Sequence, residues 1–318
     1  MWNEDFYQVD VRYRDLPASC FLPAEDRGDM EQITRRSLTY WRDVWHRFCR
    51  NKLAVIGLVF ILIMTVSCIL IPIFSDYSYD AMNWDRKSWN QGPSWEHLCG
   101  TDQSGRDRFI RIMYGAQISL SIGLVTAAIN MVIGVTFGGI SGYVGGYTDI
   151  VMMRIVDILS SLPSLLYILL IMLLLGKSLT SVIVALCFTS WTGTARVMRS
   201  EVLRLKQSEY VLASRLSGGR TWHLLIRHLL PNAMGPIIVS TAFMIPNAIF
   251  SEAFLAFLGI GIELPKASWV TLANEGISRL NTYPHLLVFP VIAICLTMFS
   301  FNFIGDGLRD ALDPRLKH

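Results

Sequence analysis

Charge is scarce in this sequence: Asp, Glu, Lys and Arg make up 17% of its 318 residues, against about 25% in ordinary soluble domains. Hydrophobic residues fill the deficit at 52%, and the mean hydropathy is +0.41. That is a membrane composition. A basic excess is missing too, because 28 Lys and Arg stand against 25 Asp and Glu, a formal charge of +3. No nucleic-acid binder is indicated, since such proteins concentrate basic residues on one face. Cys20, Cys49, Cys68, Cys99, Cys187 and Cys295 are dispersed with no CxxC pair, so neither a zinc site nor a disulfide framework is suggested. There is no HExxH or GxSxG, and His46, His97, His223, His228, His285 and His318 are scattered. Intramembrane hydrolysis therefore lacks its parts. The first 52 residues hold no apolar run, and no cleavable signal peptide is expected.

What the sequence does have is long apolar runs. Crossing about 30 Å of hydrocarbon takes roughly 17 to 25 apolar helical residues, and six stretches qualify, at about 53–74, 118–140, 151–175, 181–198, 236–258 and 286–304. The expected fold is an all-α integral membrane protein with six transmembrane helices. Six crossings put both termini on one side. Lys and Arg are retained in the cytoplasm, and they gather before span 1 (Arg35, Arg36, Arg42, Arg47, Arg50, Lys52), between spans 4 and 5 (Arg199, Arg204, Lys206, Arg215, Arg220, Arg227) and in the tail (Arg309, Arg315, Lys317). Both termini are expected in the cytoplasm. The connection between spans 1 and 2 mixes Arg86, Lys87, Arg106, Arg108 and Arg111 with six acidic residues, which suits a charge-balanced outer loop.

Before span 1, Leu38, Trp41, Trp45, Phe48 and Cys49 share one helical face, with Arg42, Asp43, His46, Arg47 and Arg50 opposite. The pattern predicts an interfacial helix on the cytoplasmic surface. Residues 1–37 are read as a cytoplasmic tail and 38–318 as the transmembrane domain.

Gly134, Gly138, Gly142 and Gly146 recur every four residues and predict a smooth stripe for close helix packing. Gly176, Lys177 and Ser178 look like the end of a phosphate loop, but Ile171 stands where the upstream glycine is required. Lys177 reads better as an interfacial residue in an outer turn. Glu252 lies inside span 5, where an ionisable group is costly enough to demand a role. It is read as a buried brace for the outer turn between spans 5 and 6, bonded to a backbone amide or an arginine, ahead of a pathway role. Asp157 is expected to pair with Arg154 at the inner end of span 3.

The segment 199–232 carries the most information. Its first half is helix-permissive up to Ser217 and is broken by Gly218 and Gly219; a second helix follows Thr221, with Trp222, Leu225, Ile226 and Leu229 at i, i+3, i+4 and i+7 before Pro231. Two short helices about a glycine hinge are expected. They are too polar to cross a membrane and too apolar to stand in water, so a protein surface should cover them.

Tyr210 to Asn232, YVLASRLSGGRTWHLLIRHLLPN, resembles the cytoplasmic signature of permease subunits in bacterial ABC importers. Ala213, Gly218, Leu230 and Pro231 match it, while Leu212, Ser214 and His228 replace its Glu, second Ala and Ile. Glu209 lies one turn before the missing Glu. RNKLAVIGL (50–58), GTDQSGRD (100–107), YGAQISL (114–120), MRIVDIL (153–159), EAFLAFLGIG (252–261) and GDGLRDALDPRLK (305–317) resemble the second permease of dipeptide, oligopeptide and nickel importers, with Gln117, Phe254 and Val270 as departures.

The resemblance implies a non-enzymatic transport subunit that forms half of a translocation pathway. Its implied partners are a second homologous permease, two cytoplasmic ATPase subunits that bind ATP and Mg, an extracytoplasmic substrate-binding protein and membrane lipid. It implies a bacterial inner-membrane location and a coupling helix through Glu209, Tyr210, Ala213, Ser214, Leu216 and Gly218 that docks on an ATPase. Peptide is the expected cargo, with nickel the alternative. An ion-driven secondary transporter would need intramembrane charge pairs and repeats, of which only Glu252 and Asp157 could supply the charges.

Overall fold

A computed structural model describes residues 40–209, 211, 229–262 and 266–313. Among them the regular elements are helices: α1 (Tyr40–Arg50), α2 (Lys52–Phe74), α3 (Arg108–Val144), α4 (Gly146–Ser161), α5 (Ser164–Leu175), α6 (Leu179–Lys206), α7 (Leu230–Phe257), α8 (Trp269–Ile277) and α9 (His285–Leu312). Five of them, α2, α3, α6, α7 and α9, are long and apolar enough to cross a membrane, and the pair α4 and α5 makes up to six. The protein is an all-α integral membrane protein.

The expected third span, 151–175, is not one straight helix. α4 and α5 are bent by 82° at their break. Pro163 has no N–H and crowds the residue before it, and Leu162 accordingly leaves the helical region at φ −92°, ψ 144°. Hydropathy averages across such a break and cannot register it. The other expected spans fall within longer helices, because helix geometry continues past the apolar stretch wherever a cap allows. α3 starts at an Asp107 cap, whose carboxylate accepts from the Ile110 N–H at 2.8 Å, and it ends at Gly145 with φ +72°.

α3 is the central element. Its Gly134, Gly138 and Gly142 face α6 so closely that a Cβ on Gly134 would stand 2.5 Å from the Thr194 Cβ, and one on Gly142 2.9 Å from the Arg199 carbonyl oxygen. A Cβ on Gly138 would collide with the Ala195 backbone. Gly146 does not belong to this contact: it opens α4 at φ +57° with open space around it. A second set of core residues, Cys68, Ile112, Ala116, Ile249, Trp269 and Leu272, joins α2, α3, α7 and α8. Gln117 donates to the Cys68 carbonyl at 2.5 Å, tying α3 to α2.

The connections sort to two ends of the bundle. At one end Asn51, before α2, reaches Asp310 of α9 at 3.4 Å, and α1 buries Val44 and Phe48 against Ala54 and Ala311. The amphipathic helix is present, but its buried face is Val44 and Phe48 while Trp41 and Trp45 are exposed. Lys206 bonds the Tyr143 carbonyl, so the α3–α4 and α6–α7 connections meet as well. At the other end the long connection 75–107, the α5–α6 turn and the segment between α7 and α9 come together: Lys177 bonds the Gly259 carbonyl, and Arg108 bonds Glu275.

Candidate functional site

The segment between α6 and α7 leaves and returns at one buried cluster. α6 runs unbroken to Lys206, Gln207 caps it, and Glu209 follows, exposed to solvent. Val211 is fully buried with Met198, Val202, Leu229, Ala233 and Ile237. Val211 and Leu229, the described residues on either side of 212–228, therefore share one apolar seat. Tyr210, Ala213, Ser214, Leu216 and Gly218 lie outside the described residues, as do the expected hinge and second short helix.

Beside that seat, α6 is clamped to the start of α4. Arg199 donates two hydrogen bonds to Asp149, each at 2.6 Å, and Ser141 adds one at 2.5 Å. This two-pronged geometry fixes orientation as well as charge. Sequence reading passed over Asp149 and counted Arg199 only among the cytoplasmic charges, since fifty positions separate the two and they form no local pattern. Asp157 is exposed and pairs with Arg196 of α6 at 3.2 Å rather than with Arg154. The correction has a simple cause: α6 crosses α4 on the side where Asp157 projects, so an inter-helix partner replaces the one three residues away.

At the opposite end the loop before α3 folds around one carboxylate. Asp102 accepts from the backbone N–H groups of Ser104 (2.7 Å) and Arg106 (3.0 Å), from the Arg106 guanidinium (2.7 Å) and from Arg111 (2.5 Å). Burial alone would raise its pKa, but Arg111, the Ser104 N–H and Arg106 outweigh that, and the carboxyl titrates below its ordinary value. Gly105, at φ +70°, permits the turn. Arg108 is 0% exposed and bonds Glu275 at 2.8 Å and the Leu286 carbonyl at 2.8 Å, and Arg111 reaches both Glu275 oxygens at 3.1 Å. His97 Nδ1 lies 2.7 Å from the Asp107 carboxylate. The loop 75–107, α3, α8 and α9 are therefore tied by buried charge. The residues of the GTDQSGRD segment carried that signal; charge counting over the loop did not reveal that they converge.

Glu252 is 1% exposed inside α7. One oxygen accepts from the Ser119 hydroxyl of α3 at 3.2 Å, and the same hydroxyl oxygen accepts from the Trp269 backbone N–H at 3.3 Å. The partner is thus a hydroxyl relayed to the first turn of α8, where a backbone amide or an arginine was expected. Its other oxygen has no partner among the described residues. No group of three or more His, Cys, Asp or Glu that could hold a metal ion occurs among the described residues.

A family model described as "Binding-protein-dependent transport system inner membrane component" matches residues 134–318, from the C-terminal part of α3 through α9. The chain belongs to this family. A second model, the "N-terminal TM domain of oligopeptide transport permease C", matches residues 39–93. The chain is 47% identical over 305 residues to the oligopeptide transport system permease protein OppC of Bacillus subtilis strain 168, covering 96% of this chain and 99% of that protein. It is 44% identical over 316 residues to the dipeptide transport system permease protein DppC of the same organism, 98% of each. The oligopeptide permease OppC of Haemophilus influenzae is 40% identical over 290 residues, 91% of this chain and 93% of that protein. As a family member the chain is a multi-pass membrane component of a transport system.

Proposed function

We propose that this protein is the second permease subunit of an ATP-driven importer of dipeptides or oligopeptides. The observation that carries the reading is end-to-end similarity to relatives named for those two cargoes. Nickel is not favoured, because those relatives are named for peptides. The subunit pairs with a related permease to enclose the pathway, receives cargo from an extracytoplasmic binding protein and is driven by two cytoplasmic ATPases. ATP and Mg bind to those ATPases. Lys177, the one residue resembling a nucleotide lysine, is bonded to the Gly259 carbonyl at 2.8 Å and lacks its upstream glycine.

The subunit sits in the bacterial cytoplasmic membrane with α1 lying on the inner surface and both termini in the cytoplasm, as the distribution of Lys and Arg supports. Loop 212–228 is the coupling element, with Glu209 at its base and Tyr210, Ala213, Ser214, Leu216 and Gly218 on or beside the surface that meets an ATPase. Its common buried seat supports this, because force on the loop is delivered to α6 and α7 together. Rocking of those helices then alternates access between the two sides.

Affinity purification of the tagged protein in mild detergent tests the reading. Recovery of a second permease, two ATPases and a binding protein carrying a peptide is expected. Recovery of a binding protein carrying nickel, or of no ATPase, contradicts it.

A further inference from the structure

α8 is a nine-residue helix with two unlike faces. Trp269, Val270, Leu272, Ala273 and Gly276 are buried, whereas Thr271, Asn274, Glu275 and Ser278 follow at i, i+3, i+4 and i+7 and line an open cavity of about 650 Å³. The stripe is partly exposed on the wall of this cavity, where it can bond water or a polar occupant. The volume is that of a small-ligand site.

The stripe is held in place before anything enters. The Trp269 indole N–H donates to the Ile112 carbonyl at 2.9 Å, Arg108 bonds the Leu272 carbonyl, and a Cβ on Gly276 would stand 2.7 Å from the Leu287 nitrogen. Its hydrogen-bonding capacity is only partly used. Asn274 gives its NH₂ to the Ala256 carbonyl at 3.2 Å, leaving its amide oxygen to accept; Thr271 donates to the Ser268 carbonyl at 2.9 Å and keeps its lone pairs. Two of the described lining residues are charged. The Glu275 oxygens are already taken by Arg108 and Arg111. Lys177 is exposed and bonds a single backbone carbonyl, so two of its three N–H donors and its whole charge remain available.

We infer that this cavity is a cargo subsite, in which Lys177 takes the terminal carboxylate of a peptide and the α8 stripe bonds its main chain. The inference rests on the peptide-import reading and deepens it. Recognition through the carboxylate and main chain leaves peptide side chains unread, which suits a pathway serving many sequences. Lys177 thereby becomes a specificity residue at the end of the bundle opposite the coupling loop.

The test uses the whole complex, permease pair, ATPases and binding protein, in proteoliposomes. ATP-dependent uptake is measured for two labelled peptides of one sequence, one with a free C-terminal carboxylate and one amidated. The ratio of the two rates is compared between the native complex and variants; preferences of the binding protein cancel because it is unchanged. Lys177→Gln is expected to lower the free-to-amidated ratio about tenfold, the worth of one charge-assisted hydrogen bond, and Lys177→Arg to restore most of it. Ser278→Asp, which sets an anion on the same wall from an exposed position, is expected to lower the ratio as well. Uptake of both peptides falling by one common factor, or unchanged in both Lys177→Gln and Ser278→Asp, overturns the subsite while peptide import stands. A native complex that assembles and hydrolyses ATP yet imports neither peptide overturns the peptide reading, and the subsite with it.

Discussion

Two buried carboxylates show how single residues hold this molecule. Glu252 serves α7 by accepting from Ser119, whose hydroxyl in turn receives the first N–H of α8. An amide can occupy the same place and keep a hydrogen bond, whereas an apolar side chain leaves Ser119 and its neighbours short of partners. Glu252→Gln is therefore expected to retain assembly and most transport, and Glu252→Leu to lose about 1 to 3 kcal/mol for each buried group left unsatisfied. Thermal unfolding of the purified subunit beside uptake by the assembled complex checks both; loss of uptake in the Gln variant with normal assembly would give the carboxyl a proton or cargo role instead. Asp102 works through charge. Its pKa in the folded protein lies below the ordinary 3.8, so the stability it contributes is present above the unfolded value and is lost as pH falls through the folded one. Asp102→Asn should cost about 3 to 5 kcal/mol at neutral pH by leaving the buried Arg106 without its carboxylate and Arg111 with Glu275 alone. It should also flatten the acid side of a stability-against-pH curve. An unchanged curve would show that the loop is held by something other than this ion cluster.

Among elements, the contact of α3 with α6 is the tightest. Gly138 admits no Cβ against the Ala195 backbone, whereas a Cβ on Gly193 meets nothing within 4 Å. Gly138→Val is expected to destabilise by about 1 to 3 kcal/mol through overpacking. Gly193→Ala should be neutral or slightly stabilising, since alanine is the better helix former. Equal melting temperatures for the two variants would refute the close approach. The segment 212–228, proposed above as the coupling element, makes a different demand. Gly218→Val should strain the glycine hinge expected from the sequence by roughly 1 to 3 kcal/mol, and Ala213→Asp should set an unpaired charge in the proposed ATPase contact. Both variants are expected to insert normally and to lose ATPase retention on the purified permease pair, whereas a substitution at Lys87 in the loop before α3 should not. Retention at the native level in both would remove the loop from the interface.

What the sequence disclosed at this scale depended on range. The 3.6-residue period of α1 and the four-residue glycine period are local and were readable, apart from which face of α1 turns inward and from Gly146, which lies outside the α3–α6 contact. Val44 rather than Trp45 meets Ala311 because the partner surface, not the period, chooses. The 82° bend at Pro163 was hidden by average hydropathy. The Asp149–Arg199 and Arg108–Glu275 pairs span 50 and 167 positions, and no period or spacing rule reaches so far. Glu252 was legible as a cost in the membrane; its partner Ser119 was not, because any of several hydroxyls could have met it.

For the whole molecule, the arrangement is of two specialised ends joined by continuous helices. At one end α6 and α7 emerge from a common apolar seat into loop 212–228; at the other, buried charge fixes α8 against α3. α6 connects the two as a single 28-residue helix from the Lys177 turn to the loop, a rod of about 42 Å at 1.5 Å per residue. On this account ATP-driven movement at the first end reaches the second without an intervening joint in α6. The measurement that tests it most directly is uptake of a labelled oligopeptide by proteoliposomes holding the permease pair and both ATPases, supplied with the binding protein on the outer side and ATP on the ATPase side. The account predicts accumulation that requires ATP hydrolysis and the binding protein, and that Ala213→Asp abolishes. Accumulation that persists without ATP and follows an imposed ion gradient would contradict it.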